Sequence, residues 1–167
     1  LKDPGANDTY ARLAAEYPNT DEGKNAQYAR ISGALELAQY AQAKDALTAM
    51  LASPGSYKVE EFARVGQAML EHKQWAEAAG AFGQVVGKTE ERAVLERALY
   101  GMGAAKYELG DYADSVAALN DLMTRWPNSA LFYQAKFTLA RANLKLGSLP
   151  AAKTALNRLG CRNIHFR

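Results

Sequence analysis

Apolar residues recur at spacings of three and four in one segment after another, the mark of helices buried on one face. One segment carries Leu95, Leu99, Met102, Tyr107 and Leu109; the next carries Val116, Leu119, Leu122 and Met123. Between them stands Gly110-Asp111, which predicts a helix stop followed by a helix start. The second segment ends at Trp126-Pro127, because proline disfavours helix in the residue before it. Ser129, and Thr20 at the matching place earlier in the chain, are positioned to cap the helix that follows.

The two-helix pattern repeats. Tyr40, Trp75, Tyr112 and Leu149 each follow a polar or glycine turn, at intervals of 35, 37 and 37 residues. Three residues after each comes a small side chain: Ala43, Ala78, Ser115, Ala152. A large one follows (Leu47, Phe82, Leu119, Leu156), and then another apolar one (Met50, Val85, Leu122, Leu159). Tyr17-Pro18-Asn19-Thr20 through Leu47 lies without gaps on Trp126-Pro127-Asn128-Ser129 through Leu156. The expected fold is all-α, a right-handed superhelical solenoid of stacked antiparallel helix pairs, since one hairpin cannot bury its apolar face alone. The pairs are expected at about 21–52, 57–87, 91–126 and 130–159, with an orphan second helix at 6–17 and a tail at 160–167. In that orphan, Tyr10 and Leu13 take the columns of Leu119 and Leu122, so the single array reads as part of a longer chain. The small column is expected where helices cross closely, with Gly66 and Gly103 supplying the matching gap. Ala140 does so in the last pair, and Ile31 is the exception.

This pattern resembles the tetratricopeptide repeat (TPR). The unit from Glu96 to Asn128 carries the likeness best, with Gly103, Gly110-Asp111-Tyr112, Ser115, Leu119 and Pro127. The tryptophan usual early in the first helix of that family is replaced by Gln27, Phe62, Leu99 and Lys136. The longer units and the Tyr-Pro-Asn-Thr and Trp-Pro-Asn-Ser junctions are similar to bacterial cell-envelope members. The Tol-Pal periplasmic coordinator and the accessory lipoprotein of the outer-membrane barrel-assembly machinery are the types they resemble. The resemblance thus implies a protein–protein interaction scaffold, set in the bacterial periplasm or at the outer-membrane periphery.

Composition agrees with a helical reading. Of 167 residues, 33 are alanine and 19 leucine, against 8 valine and isoleucine together, a skew that favours helix over sheet. The net charge of +2 is too small to point to nucleic acid or an acidic membrane surface. No apolar run is long enough to cross a bilayer, so no membrane insertion is expected. The chain lacks an initiator methionine and a signal peptide, so it reads as a processed or excised piece.

Candidate chemistry is sparse. One cysteine, Cys161, excludes an internal disulfide framework and a cysteine-based zinc site. His72 and His165 lack partners at metal-ligand spacing; His72 is expected to end a first helix. The stretch Gly83 to Thr89 is one residue short of a phosphate-binding loop, has Phe82 where the first glycine is needed, and reads as a helix end turning at Gly87. Asn7-Asp8-Thr9 fits a glycosylation pattern but is expected to cap the first helix. Glu60-Glu61 and Glu90-Glu91 are expected in first helical turns, where the helix dipole favours acids. No catalytic, cofactor-binding or metal residue emerges, and the expectation is a non-enzyme without cofactors.

The resemblance places partner contacts on the exposed stripe of each first helix, lining a concave groove. The stripe reads Asn25, Tyr28, Ser32, Leu35 and Glu36, then Glu60, Gln67, Leu70 and Glu71. It continues with Arg97, Tyr100, Tyr107 and Glu108, then Gln134, Phe137, Arg141, Leu144 and Lys145. Tyr28, Tyr100 and Phe137 share one register position, so aromatic anchors would step along a groove that binds a peptide or protein segment of mixed polarity. The Lys/Asn combination by which chaperone-binding members grip a C-terminal carboxylate is missing, which argues against a chaperone-tail receptor. Two alternatives stand beside this reading. One is a homo-oligomer formed through exposed repeat ends, and the other a helical accessory domain of a larger enzyme.

Overall fold

A computed structural model describes residues 4–157, which are all-helical apart from turns and contain no strand. The sequence expectations on Leu159, Cys161 and His165 lie outside the described residues. The chain divides between Glu90 and Glu91 into two compact units.

The first unit holds α1 (Pro4–Glu16), α2 (Asp21–Glu36), α3 (Tyr40–Ala52), a 3-10 turn (Pro54–Ser56), α4 (Val59–Glu71) and α5 (Trp75–Gly83). The second holds α6 (Arg92–Leu109), α7 (Tyr112–Arg125), α8 (Phe132–Lys145) and α9 (Leu149–Asn157). Helices adjacent in sequence pack as hairpins, α2 with α3, α4 with α5, α6 with α7 and α8 with α9. Within each unit first helices also meet first helices, α2 on α4 and α6 on α8. This is a TPR-like all-α solenoid arrangement.

The repeated columns form the core. Ala43, Ala78, Ser115 and Ala152 are buried, as are Leu47, Phe82 and Leu119. The glycines on the first helices make room for the large column rather than the small one. A Cβ on Gly66 would lie 2.8 Å from the Phe82 ring, and one on Gly103 would lie 2.6 Å from Leu119 Cγ. The small column closes the hairpin by a different contact: Ser115 Oγ donates to the Gly103 carbonyl at 2.7 Å. The four residues in place of the usual tryptophan, Gln27, Phe62, Leu99 and Lys136, are all buried.

All four hairpin tips are the same motif. Gln39, Gln74, Asp111 and Ser148 each donate a backbone N–H five residues back, to Ala34, Met69, Lys106 and Asn143. Ala38, Lys73, Gly110 and Gly147 precede them with φ of 57°, 59°, 85° and 73°. This is the Schellman helix ending, in which the left-handed residue favours glycine. The first unit uses Ala38 and Lys73 there and carries the steric cost of a Cβ. Lys73→Gly is therefore expected to stabilise the first unit by about 0.5–1 kcal/mol, the relief exceeding the added unfolded-chain entropy. Gly110→Ala should destabilise the second unit by about 1 kcal/mol. Urea midpoints of the two variants, moving in opposite directions, check this.

Several local expectations change. Helix α1 begins at Pro4, so Asn7 lies inside it and does not cap it. Its buried amide instead donates to Gln39 Oε1 and Gln42 Oε1, at 3.4 and 3.2 Å, tying α1 to the next hairpin tip. Thr20 does cap α2, its hydroxyl accepting from Gly23 N–H at 3.1 Å. Ser129 lies three residues before α8 begins; its hydroxyl accepts from Leu131 N–H at 2.9 Å and donates to the Glu96 carboxylate of α6. Glu91 is the residue before α6, so Glu90 and Glu91 stand outside its first turn. Tyr10 is exposed rather than in the core.

Candidate functional site

In the first unit, α2 and α4 lie side by side. Asn25 and Glu36 are exposed on α2, and Glu60, Gln67 and Glu71 on α4. Gln67 Nε2 donates to Glu71 Oε1 at 2.8 Å, a bond within one helix face. Tyr28 is half-buried because the Arg64 guanidinium lies 4.1 Å from its ring centroid. Ala63 occupies the register position of Tyr28, and Arg64, the next residue, provides the cover. Ser32 turns back on its own helix, donating to the Ala29 carbonyl at 3.2 Å. Leu70 is half-buried, and Leu35 belongs to the core.

In the second unit, the surface of α8 is the more apolar. Phe137 is 57% exposed and Leu144 41%. Tyr133, four residues before Phe137 and absent from the sequence-derived stripe, is 64% exposed. The spacing Tyr133, Phe137, Arg141, Leu144 puts all four on one helical face. The Arg141 guanidinium lies 4.3 Å from the Tyr107 ring centroid and 5.8 Å from that of Phe137. Gln134 and Lys145 flank this stripe and are exposed. On α6, Arg97 and Glu108 are exposed and Tyr100 is half-buried, whereas Tyr107 is only 8% exposed. Tyr107 thus acts as the platform that holds Arg141 and offers little area of its own. Guanidinium–aromatic contacts of this kind stabilise by about 0.5–1 kcal/mol at exposed sites and hold the charge in place.

Each unit also contains a cleft where a second helix, a first helix and the following second helix meet. In the first unit it encloses about 350 Å³ and is lined by α1, α2, α3 and the turn from Ser53 to Tyr57. In the second it encloses about 330 Å³ and is lined by α7, α8 and α9, with Lys136 in its wall. Lys136 is 1% exposed, with its Nζ 4.7 Å from the Phe132 ring centroid. Gln27 lines the first cleft at the register position that Lys136 holds in the second, and its amide donates to the Ala46 carbonyl.

Among the described residues, Lys106 and Tyr57 are held above their ordinary ranges. Lys106 is pushed above 10.5, chiefly by its hydrogen bonds to Asp111 and Asp114, each at 3.0 Å across the Gly110 tip. Tyr57 is pushed above 10.0, first by burial and then by the Glu61 carboxylate. In both cases the folded state holds the proton more tightly than the unfolded chain. Their contribution to stability is complete below the unfolded values and declines as pH rises through the raised folded ones. Urea midpoints should therefore fall from about pH 10 upward, and Lys106→Gln should make that fall shallower.

Among the described residues, no three His, Cys, Asp or Glu side chains are grouped to hold a metal ion. None of the described helices is long and apolar enough to cross a membrane. Residues 97–129, the stretch from α6 through α7 to the following turn, match the family model of the tetratricopeptide repeat. No curated protein matched the chain. The match and the all-helical array together support a TPR protein, and such repeats generally mediate protein–protein interactions.

Proposed function

We propose that this TPR-type array is a non-catalytic scaffold that binds a peptide or protein segment on the exposed faces of its first helices. The observation that carries this reading is the stripe of Tyr133, Phe137, Arg141 and Leu144 on α8. Exposed aromatic and arginine side chains on a rigid helix give large contact area at small entropic cost, and such residues dominate measured interfaces. Within the sequence-derived set, Phe137, Arg141, Gln134 and Lys145 supply this surface, with Arg97, Tyr100 and Glu108 on the neighbouring α6. In the first unit the corresponding face offers Asn25, Tyr28, Glu36, Glu60, Gln67 and Glu71, with Arg64 over the Tyr28 ring, so its partner segment would meet three acids beside one cation. The bacterial-envelope setting rests on the likeness of the longer units and of the Tyr-Pro-Asn-Thr and Trp-Pro-Asn-Ser junctions.

The test is selection of binders from a displayed random-peptide library, followed by affinity measurement on Phe137→Ala/Arg141→Ala. Peptides that compete with one another and lose about 100-fold on the variant support the reading. Binders indifferent to that variant and to Tyr28→Ala would move the site elsewhere.

A second reading, self-association, is favoured by Leu146 and Leu149, two exposed leucines at the α8–α9 tip. Molar mass by light scattering that stays constant with concentration would dismiss it.

A further inference from the structure

The cleft of the first unit lies on a different side of α2 from the proposed partner face. Arg30, which lines the cleft, follows Tyr28 by two residues, about 200° around the helix. Its chemistry is asymmetric. The α1 wall consists of Ala11, Ala14 and Ala15, side chains that end at Cβ and leave an apolar, set-back surface. The far wall is formed by Ser53, Ser56 and Tyr57, three residues that bear hydroxyl groups. Tyr57 keeps its proton to high pH and is therefore a donor at neutrality.

Arg30 is half-buried, no acidic side chain lines the cleft, and none of the described residues forms an ion pair with it. A partly desolvated guanidinium without a counter-ion is an unfavourable arrangement that a bound anion relieves. The planar fork of arginine matches a carboxylate in two parallel hydrogen bonds. A single cation suits a monoanion, and the alanine wall leaves space for a short aliphatic stem beside it. A volume of about 350 Å³ is at the small end of ligand sites.

We propose that this cleft binds a carboxylate on a short apolar stem, with Arg30 as its counter-ion and the Ser53–Tyr57 hydroxyls as further donors. Two sources carry that chemistry: the C-terminal residue of a peptide, and a free small acid.

The experiment is a ¹H–¹⁵N titration that follows Arg30 Nε–H and the Ser53 and Ser56 amides. The probes are N-acetyl-alanyl-alanine, its C-terminal amide, and butyrate. Saturable shifts with the free-acid dipeptide and none with the amide are expected. Arg30→Gln should weaken binding by about tenfold or more. Ala14→Leu, which fills the apolar wall without touching a charge, should abolish binding while helicity is kept. If the dipeptide binds more tightly than butyrate, the source is a peptide terminus; if butyrate binds as tightly, it is a small acid. Equal shifts from acid and amide, undiminished binding by Arg30→Gln, or no shift at millimolar probe would each overturn the proposal. Should Arg30→Gln fail to fold, the amide comparison and Ala14→Leu decide alone.

Discussion

Phe82→Ala is expected to destabilise the first unit by about 3–5 kcal/mol. The side chain is fully buried, and its ring lies where Gly66 has no Cβ. The void left by truncation is bounded on that side by the backbone of α4, which cannot collapse inward without breaking its own hydrogen bonds. The loss should therefore sit toward the high end of large-to-small substitutions. Gly66 supplies the control. In the intact protein Gly66→Ala places a methyl 2.8 Å from the ring, an overpacking cost of about 1–3 kcal/mol set against a helix-propensity gain of about 1 kcal/mol. In the Phe82→Ala background the same methyl has room, and Gly66→Ala should become stabilising. Urea unfolding followed by Trp75 fluorescence, in a double-mutant cycle, measures the coupling. Strict additivity would show that the two residues are not a packed pair.

Gly23→Ala is the second large effect, about 3 kcal/mol. Gly23 needs no unusual backbone angle; it needs space. A Cβ there would lie 1.9 Å from the Tyr17 carbonyl oxygen and 2.7 Å from its carbon. Both are backbone atoms, so no rotamer change can relieve the contact. That oxygen also accepts from Thr20 N–H and Thr20 Oγ, at 3.1 and 3.0 Å, while Thr20 Oγ caps α2 through Gly23 N–H. Pushing the turn away would sacrifice the cap along with the packing. Thr20→Ala removes only the cap and should cost about 1 kcal/mol. Thermal melts that place Gly23→Ala at or above the stability of Thr20→Ala would refute this account.

The hairpins were legible because they rest on columns of side-chain size, and size at fixed spacing survives in a sequence. Phe82 and Leu119 fall in one column for that reason. Their fit against Gly66 and Gly103 was not legible, since spacing alone does not say which residue of the second helix crosses the gap. The tips were placed by the turns before Tyr40, Trp75, Tyr112 and Leu149, but a glycine marks the left-handed ending only at Gly110 and Gly147. Ala38 and Lys73 adopt the same left-handed ending without the residue that announces it. The partner face shows the same limit. Tyr107 follows Tyr100 by seven residues, nearly two full turns, so both belong to one side of α6. Yet Arg141, reaching from α8, lies over Tyr107, and Tyr107 is largely buried. Tyr28 is likewise covered by Arg64 from the neighbouring helix. Exposure at these positions is decided by the adjoining helix, which a register built from one helix at a time does not contain. Tyr133 could have been found from Phe137 by stepping back one turn.

The four tips share one geometry, whereas the unit spacing drifts between 35 and 37 residues. The difference lies between the tips, where α3 and α4 have 13 residues each and α7 and α8 have 14 each, joined in both cases by a short connection between hairpins. The Ser53–Lys58 stretch, which holds a 3-10 turn, and the Pro127–Leu131 stretch before α8 join successive hairpins outside the latched tips. An added loop, affinity tag or grafted epitope placed in either would leave the hairpins on both sides in register. The same insertion at Ala38 or Gly110 would unlatch a helix ending. Ser129, fastened to Glu96, narrows the second opening to the residues on either side of it. The molecule thus carries its own map of where it can be spliced.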